Sequence, residues 1–93
     1  MLFFVDWAGQ EERMRIHKFN LLGGEHKIQY YKGKELKEFI DVLLLTIMKE
    51  RPDQIIFDRT GCGQPLFDSF VSCVNSRKSV KMLSNGMLYY ETE

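Results

Sequence analysis

Residues 54–65 read QIIFDRTGCGQP: Ile55, Ile56 and Phe57 make an apolar run closed by Asp58, and Gly61, Gly63 and Pro65 lead into a helical pattern. A strand that ends in a carboxylate and turns through glycines into a helix marks a ligand-binding edge, because sites in open α/β sheets gather where strands end at their carboxyl side. Gly61 and Gly63 permit positive φ, and free amides in such a turn receive an anion or a water. A blander reading also fits, with Asp58 capping the turn and both glycines serving only its geometry.

Working outward, residues 2–6 repeat the design, with Leu2, Phe3, Phe4 and Val5 closed by Asp6. Both runs read as strands buried on both faces. Residues 13–19 and 27–31 instead alternate, with Met14 and Ile16, then Ile28 and Tyr30, set against polar neighbours, so these are half-exposed strands. Leu21, Leu22, Gly23, Gly24 and Glu25 supply a glycine turn, which makes the first three strands an antiparallel meander. Residues 34–50 place Leu36, Phe39, Ile40, Leu43, Leu44, Ile47 and Met48 at helical spacing, and Val42 and Leu45 widen that stripe into a well-covered helix stopped by Pro52. A second helix over residues 65–76 turns Phe67, Phe70, Val71 and Val74 inward, with Pro65 in its first turn. Residues 80–83 and 87–90 flank Ser84-Asn85-Gly86 as a hairpin.

Strands buried on both faces belong in the middle of a sheet, so the first and fourth should be neighbours. The helical crossover makes the fourth parallel to the first, giving an α/β fold with a mixed sheet in the order 3-2-1-4, a C-terminal strand or hairpin and two helices. The 93 residues are expected to fold as a single domain.

Composition narrows the function. Thirteen basic and thirteen acidic residues cancel, so no global field draws the chain to nucleic acid or an anionic membrane, and the local cluster Arg77, Lys78 and Lys81 reads as a solvated face. Cys62 and Cys73 match no zinc spacing and no disulfide framework, which points to a reducing cytoplasm. No segment has the length of a membrane span or the pattern of a leader, so no membrane partner is expected. Asp6 to Glu11 imitates the DxAGQE switch of Ras-like GTPases, but no GxxxxGK[ST] phosphate loop occurs in the chain. Cys62 with His17 or His26 as base would make a nucleophile pair, although nothing in the sequence fixes either histidine beside it. Trp7 could stack on a base, and core packing beside the sheet end is the plainer reading.

The expected topology sets Asp6 and Asp58 side by side, on strands roughly 5 Å apart. Two acids that close must share a proton, recruit a lysine or arginine, or hold a divalent cation. Arg59 is a poor partner, since the residue after Asp58 points to the opposite face, and a metal becomes the economical answer. In this context DRTGCGQPLFDSF resembles the aspartate-threonine-glycine-x-glycine motif in the nuclease domain of viral large terminases, a branch of the ribonuclease H-like superfamily. The order of three strands, a helix, a strand and a helix, with acids ending the first and fourth strands, extends the resemblance over nearly the whole chain.

That resemblance implies a DNA-cutting hydrolase with Asp6 and Asp58 as ligands of magnesium or manganese, and with Thr60, Gly61 and Gly63 positioning water or phosphate. It implies DNA and a packaging motor or other viral component as partners, in the cytoplasm of a host carrying a phage or prophage. The family's third acid lies in a C-terminal segment and has no clear counterpart here. Cellular ribonucleases H take an acid from the first helix instead, which makes Glu38 the best placed candidate among Glu35, Glu38 and Asp41. The other reading of the same residues is a catalytically silent relic of the fold that binds protein or nucleic acid.

Overall fold

The computed structural model describes residues 1–8, 13–60 and 63–91. Strands β1 (Leu2–Ala8), β2 (Arg13–Asn20) and β3 (Glu25–Lys32) form the meander, followed by helix α1 (Leu36–Glu50), β4 (Gln54–Phe57), helix α2 (Gly63–Asn75), β5 (Val80–Met82) and β6 (Leu88–Tyr90). The main sheet has the order β3-β2-β1-β4, with β1 antiparallel to β2 and parallel to β4. The chain is thus α/β with a mixed four-stranded sheet, as its hydrophobic pattern predicts. The C-terminal hairpin forms a second sheet of β5 and β6 and leans on β4, where Gly86 O accepts from Ile55 N at 2.9 Å.

One side of the main sheet makes the core. Phe3 and Val5 of β1, Met14 and Ile16 of β2, and Ile55 and Phe57 of β4 are buried together with Phe39, Leu43 and Ile47 of α1 and Leu66, Phe70 and Val74 of α2. Phe57 meets Phe67 edge-on and Phe70 at a tilt, with ring centroids 5.4 and 5.0 Å apart. Trp7 packs edge-on against Phe39 at 5.7 Å, so the core reading of that side chain holds.

The expectation that β1 and β4 are buried on both faces is corrected here. The opposite residues of these strands lie half-buried, as Phe4 does, or open, as Ile56 does at 40% exposure. An apolar run is consistent with two-sided burial but does not require it, and here both helices serve the same face. The stripe on α1 is also narrower than expected, since Leu45 is 71% exposed while Phe39, Ile40, Leu43, Leu44 and Ile47 are buried. Leu45 lies outside the arc that meets the sheet.

Helix α1 ends at Arg51, which adopts the left-handed conformation (φ 51°) and donates its backbone N–H to Ile47 O at 2.7 Å. Pro52 then blocks another turn. The Arg51 guanidinium lies 4.8 Å from the centre of the Tyr90 ring, and the Tyr90 hydroxyl donates to Pro52 O at 2.6 Å, so the hairpin braces this corner. Burial pushes the Tyr90 hydroxyl up to about 12. Tyr89, its neighbour on the other face, is exposed. Gly86 sits at φ +85°, and a Cβ there would run into Ile55 O, which explains the glycine in the Ser84-Asn85-Gly86 turn. No helix among the described residues is long and apolar enough to cross a membrane.

The one-sided core makes a testable contrast. Phe70→Ala is expected to cost about 3–5 kcal/mol in urea unfolding, while Ile56→Ala on the open face should cost less than about 1 kcal/mol. A large loss at Ile56 would show that the second face is covered in solution.

Candidate functional site

The parallel register pairs Leu2 with Gln54, Phe3 with Ile55, Phe4 with Ile56 and Val5 with Phe57. Asp58 extends it by one step, donating its N–H to Val5 O at 2.9 Å. Asp6 and Asp58 are therefore neighbours across the two strands, and alternation puts both on the face opposite the helices. Strand β1 does not stop at Asp6, as the sequence suggests, but runs on to Ala8.

The antiparallel pairing of β1 with β2 sets Arg15 directly opposite Asp6, and the Arg15 guanidinium makes an ion pair with the Asp6 carboxylate. The cation recruited by the acid pair thus comes from the neighbouring strand. Sequence reasoning weighed Arg59 and passed over Arg15, although a usable signal was present. Residues 13–16 alternate Arg, Met, Arg, Ile, and once Met14 and Ile16 are assigned to the core, Arg15 must share the outer face with Asp6. Arg59 does point elsewhere, with its guanidinium 4.0 Å from the centre of the Phe67 ring.

Asp58 is held by Thr60. Its Oδ1 accepts from the Thr60 hydroxyl at 2.5 Å and from the Thr60 N–H at 3.0 Å, a compact turn that caps the end of β4. These two bonds favour the ionised carboxyl, the hydroxyl bond more strongly, and they lower its pKa against a small opposing effect of burial. The turn-capping role and a ligand role are compatible, because only Oδ1 is engaged by Thr60. Gly63 opens α2 beside this turn. A Cβ on Gly63 would collide with the Asp58 carbonyl, so glycine lets the helix start pressed against the strand end. Gly61 and Cys62 lie outside the described residues, as does the segment 9–12 that carries most of the GTPase-like sequence.

Glu38 is not brought to the pair. Its Oε2 accepts the Lys34 N–H at 3.0 Å, closing the start of α1, while Glu35 at the N-cap and Asp41 on the helix are exposed. Among the described residues, no three of His, Cys, Asp and Glu gather closely enough to hold a metal ion. His17 Nδ1 lies 3.3 Å from His26 Nε2, so the two histidines of the nucleophile-pair reading bond to each other.

No known protein family, curated protein or solved structure matches this chain. The function must be read from the site itself, which offers two oxygen-donor carboxylates on one sheet face, one engaged by a guanidinium and one by a threonine turn.

Thr60→Val removes the stronger of the two bonds to Asp58 while keeping side-chain size, so it should raise the Asp58 pKa toward the ordinary value of about 3.9. A depressed folded pKa contributes stability that is complete above the unfolded value and is lost as pH falls through the folded one. The stability difference between wild type and variant should therefore be constant well above the ordinary carboxyl value and shrink as pH falls below it toward the lowered value. Carboxyl-carbon NMR titration of Asp58 checks the shift, and an unchanged titration curve would remove Thr60 as its cause.

Proposed function

We propose that this chain is a divalent-cation-dependent phosphodiesterase domain of the ribonuclease H-like kind, similar to the nuclease domain of viral large terminases and acting on DNA. The observation that supports it is the in-register placement of Asp6 and Asp58 on one face of adjacent parallel strands. The donor set fits magnesium or manganese, hard cations that commonly take one or two carboxylates and complete their shell with water and substrate phosphate. Asp6 and Asp58 would hold such a cation, which would supply an activated water and screen charge on the phosphoryl group.

The chain's own residues prepare that chemistry. Thr60 fixes the orientation of the Asp58 carboxylate through its two bonds to Oδ1. Arg15 holds the Asp6 carboxylate in place and, once released, is a natural clamp for a phosphate oxygen. Gly63 admits the start of α2 close to the strand end, where backbone amides favour an anion. In this reading the setting is a phage-infected or lysogenic host cell, and a packaging motor or other viral protein is the partner.

A second reading has two observations in its favour. The Asp6–Arg15 ion pair neutralises half of the acid pair, and Glu38 is bonded at a helix start. Both suit a catalytically silent domain that binds protein or nucleic acid.

Calorimetric titration with manganese is expected to show binding that Asp6→Asn and Asp58→Asn each weaken at least tenfold, a loss of about 1.4 kcal/mol or more. Arg15→Gln, which removes the competing cation, should tighten it. Plasmid nicking followed in parallel separates the two readings, since binding without nicking supports the silent domain. Equal affinity in both aspartate variants would sink the metal site.

A further inference from the structure

Strand β4 lies at one edge of the main sheet, and the backbone groups of successive residues point alternately toward β1 and away from it. Asp58 donates to Val5 O on β1, so Ile56 and Asp58 face β1 while Ile55 and Phe57 face outward. The hairpin satisfies the outward side only in part. Leu88 N–H donates to Asp53 O at 2.8 Å and Ile55 N–H to Gly86 O at 2.9 Å, on either side of the antiparallel Gln54–Met87 bridge. The turn then closes on itself, with Gly86 N–H donating to Leu83 O and Leu83 N–H to Met87 O, and the chain leaves the edge. Phe57 is next in the outward row, and among the described residues neither its N–H nor its C=O has a backbone partner there. A residue only 8% exposed rarely leaves both groups unpaired, and unpaired edge groups are the template on which a further strand forms.

This edge runs along a groove of about 530 Å³, within the size range of ligand clefts. Phe67 and Val71 of α2 line one side of it, and Met82 and Leu83 of the hairpin line the other. Ile56 and Leu83 keep large apolar side chains open at the groove, at 40% and 48% exposure. Arg59 lines it as well, with its guanidinium over the Phe67 ring and no carboxylate within ion-pair distance among the described residues. Asp68, the acid of the same lining, accepts instead from Gln64 at 2.9 Å.

We infer that the groove receives an extended apolar peptide segment of another polypeptide, which adds as a strand beside Phe57 and places a carboxylate at Arg59. The occupant follows from the edge: a backbone supplies the acceptor that Phe57 N–H lacks and the donor that its C=O lacks, while alternate side chains fill the apolar walls. A small apolar ligand would fill the walls and leave both groups unpaired. Another copy's β4 is flanked by its own α2 and hairpin turn and does not fit between these walls, whereas a single strand does. The inference uses neither Asp6 nor Asp58 and does not rest on the proposed function.

Hydrogen exchange in the free chain is the first test. Phe57 N–H should exchange at least about tenfold faster than the bonded N–H groups of Ile55 and Asp58. The second is fluorescence anisotropy in EDTA with a labelled peptide of alternating Val and Thr carrying one Glu, the fold of each variant being checked by circular dichroism. Saturable binding that slows exchange at Phe57 is expected. Methylating one alternate set of peptide amides should weaken it about tenfold, and methylating the other set should not. Leu83→Asp should weaken it about tenfold or more, while Leu45→Asp, on the exposed side of α1, should not. Replacing the peptide's Glu by Gln should matter to the wild type and not to Arg59→Gln. Slow exchange at Phe57 in the free chain, no saturable binding, equal loss from both methylated sets, or a stable dimer that protects Phe57 without peptide would each overturn the inference.

Discussion

The parallel pairing of β1 with β4 is the constraint on which the rest of the molecule depends. It joins two strands separated by β2, β3 and α1, and its hydrogen bonding runs through to Asp58 N–H and Val5 O. The inward residues of this pair, Phe3 and Val5 with Ile55 and Phe57, are the floor on which both helices pack. A slip of one residue would turn those four side chains to solvent and bring Phe4 and Ile56 into the core. The same register forces Asp6 and Asp58 into adjacent positions, so the packing that stabilises the fold also sets two acids at its edge. Arg15 and Thr60 engage them separately, one by an ion pair and the other by hydrogen bonds.

Layering follows from the same joint. With α1 and α2 both on the inner face, the chain buries one large aromatic cluster and leaves its other sheet face open. Helix α2 approaches closely because Gly63 has no side chain to meet the Asp58 carbonyl, and Phe67 and Phe70 then close on Phe57. The strand end that carries the acid is therefore held from three directions, by the β1 ladder, by the Thr60 turn and by the helix. On the N-terminal side of β4, the hairpin contributes through Gly86 O and Ile55 N.

The sheet order was legible in the amino-acid pattern, but through a premise that proved too strong. Unbroken apolar runs at residues 2–5 and 55–57 do mark neighbouring strands, yet Phe4 and Ile56 owe their apolar character to something other than burial under a helix. Periodicity reports which residues avoid isolation in water; it does not report how many layers cover them. The Asp6 and Asp58 placement was legible because each acid directly follows an apolar run and the runs pair in register, Val5 with Phe57, even though β1 continues past Asp6 to Ala8. Arg15 was not read as the partner because cross-strand neighbours depend on the register between β1 and β2, and the sequence between them, GQEE, carries no short turn signal of the Asn-Gly kind that would fix it. Glu38 failed to join the pair for a local reason: at the head of α1 the nearest unsatisfied donor is the Lys34 N–H, which captures its carboxylate.

The Asp6–Arg15 pair changes what a cation site at this edge must be. Under the proposed reading, Arg15 occupies the Asp6 carboxylate when no ion is bound, so the strands hold their register without one. A metal would exchange one cation for another at Asp6, and its affinity would be reduced by whatever the ion pair is worth. Arg15 would then be released on the same face and in the same row, beside Tyr30, where its positive charge would favour a phosphate. Occupation of the carboxylate pair and attraction of a phosphate would in this way be coupled through a single side chain, without any movement of the sheet.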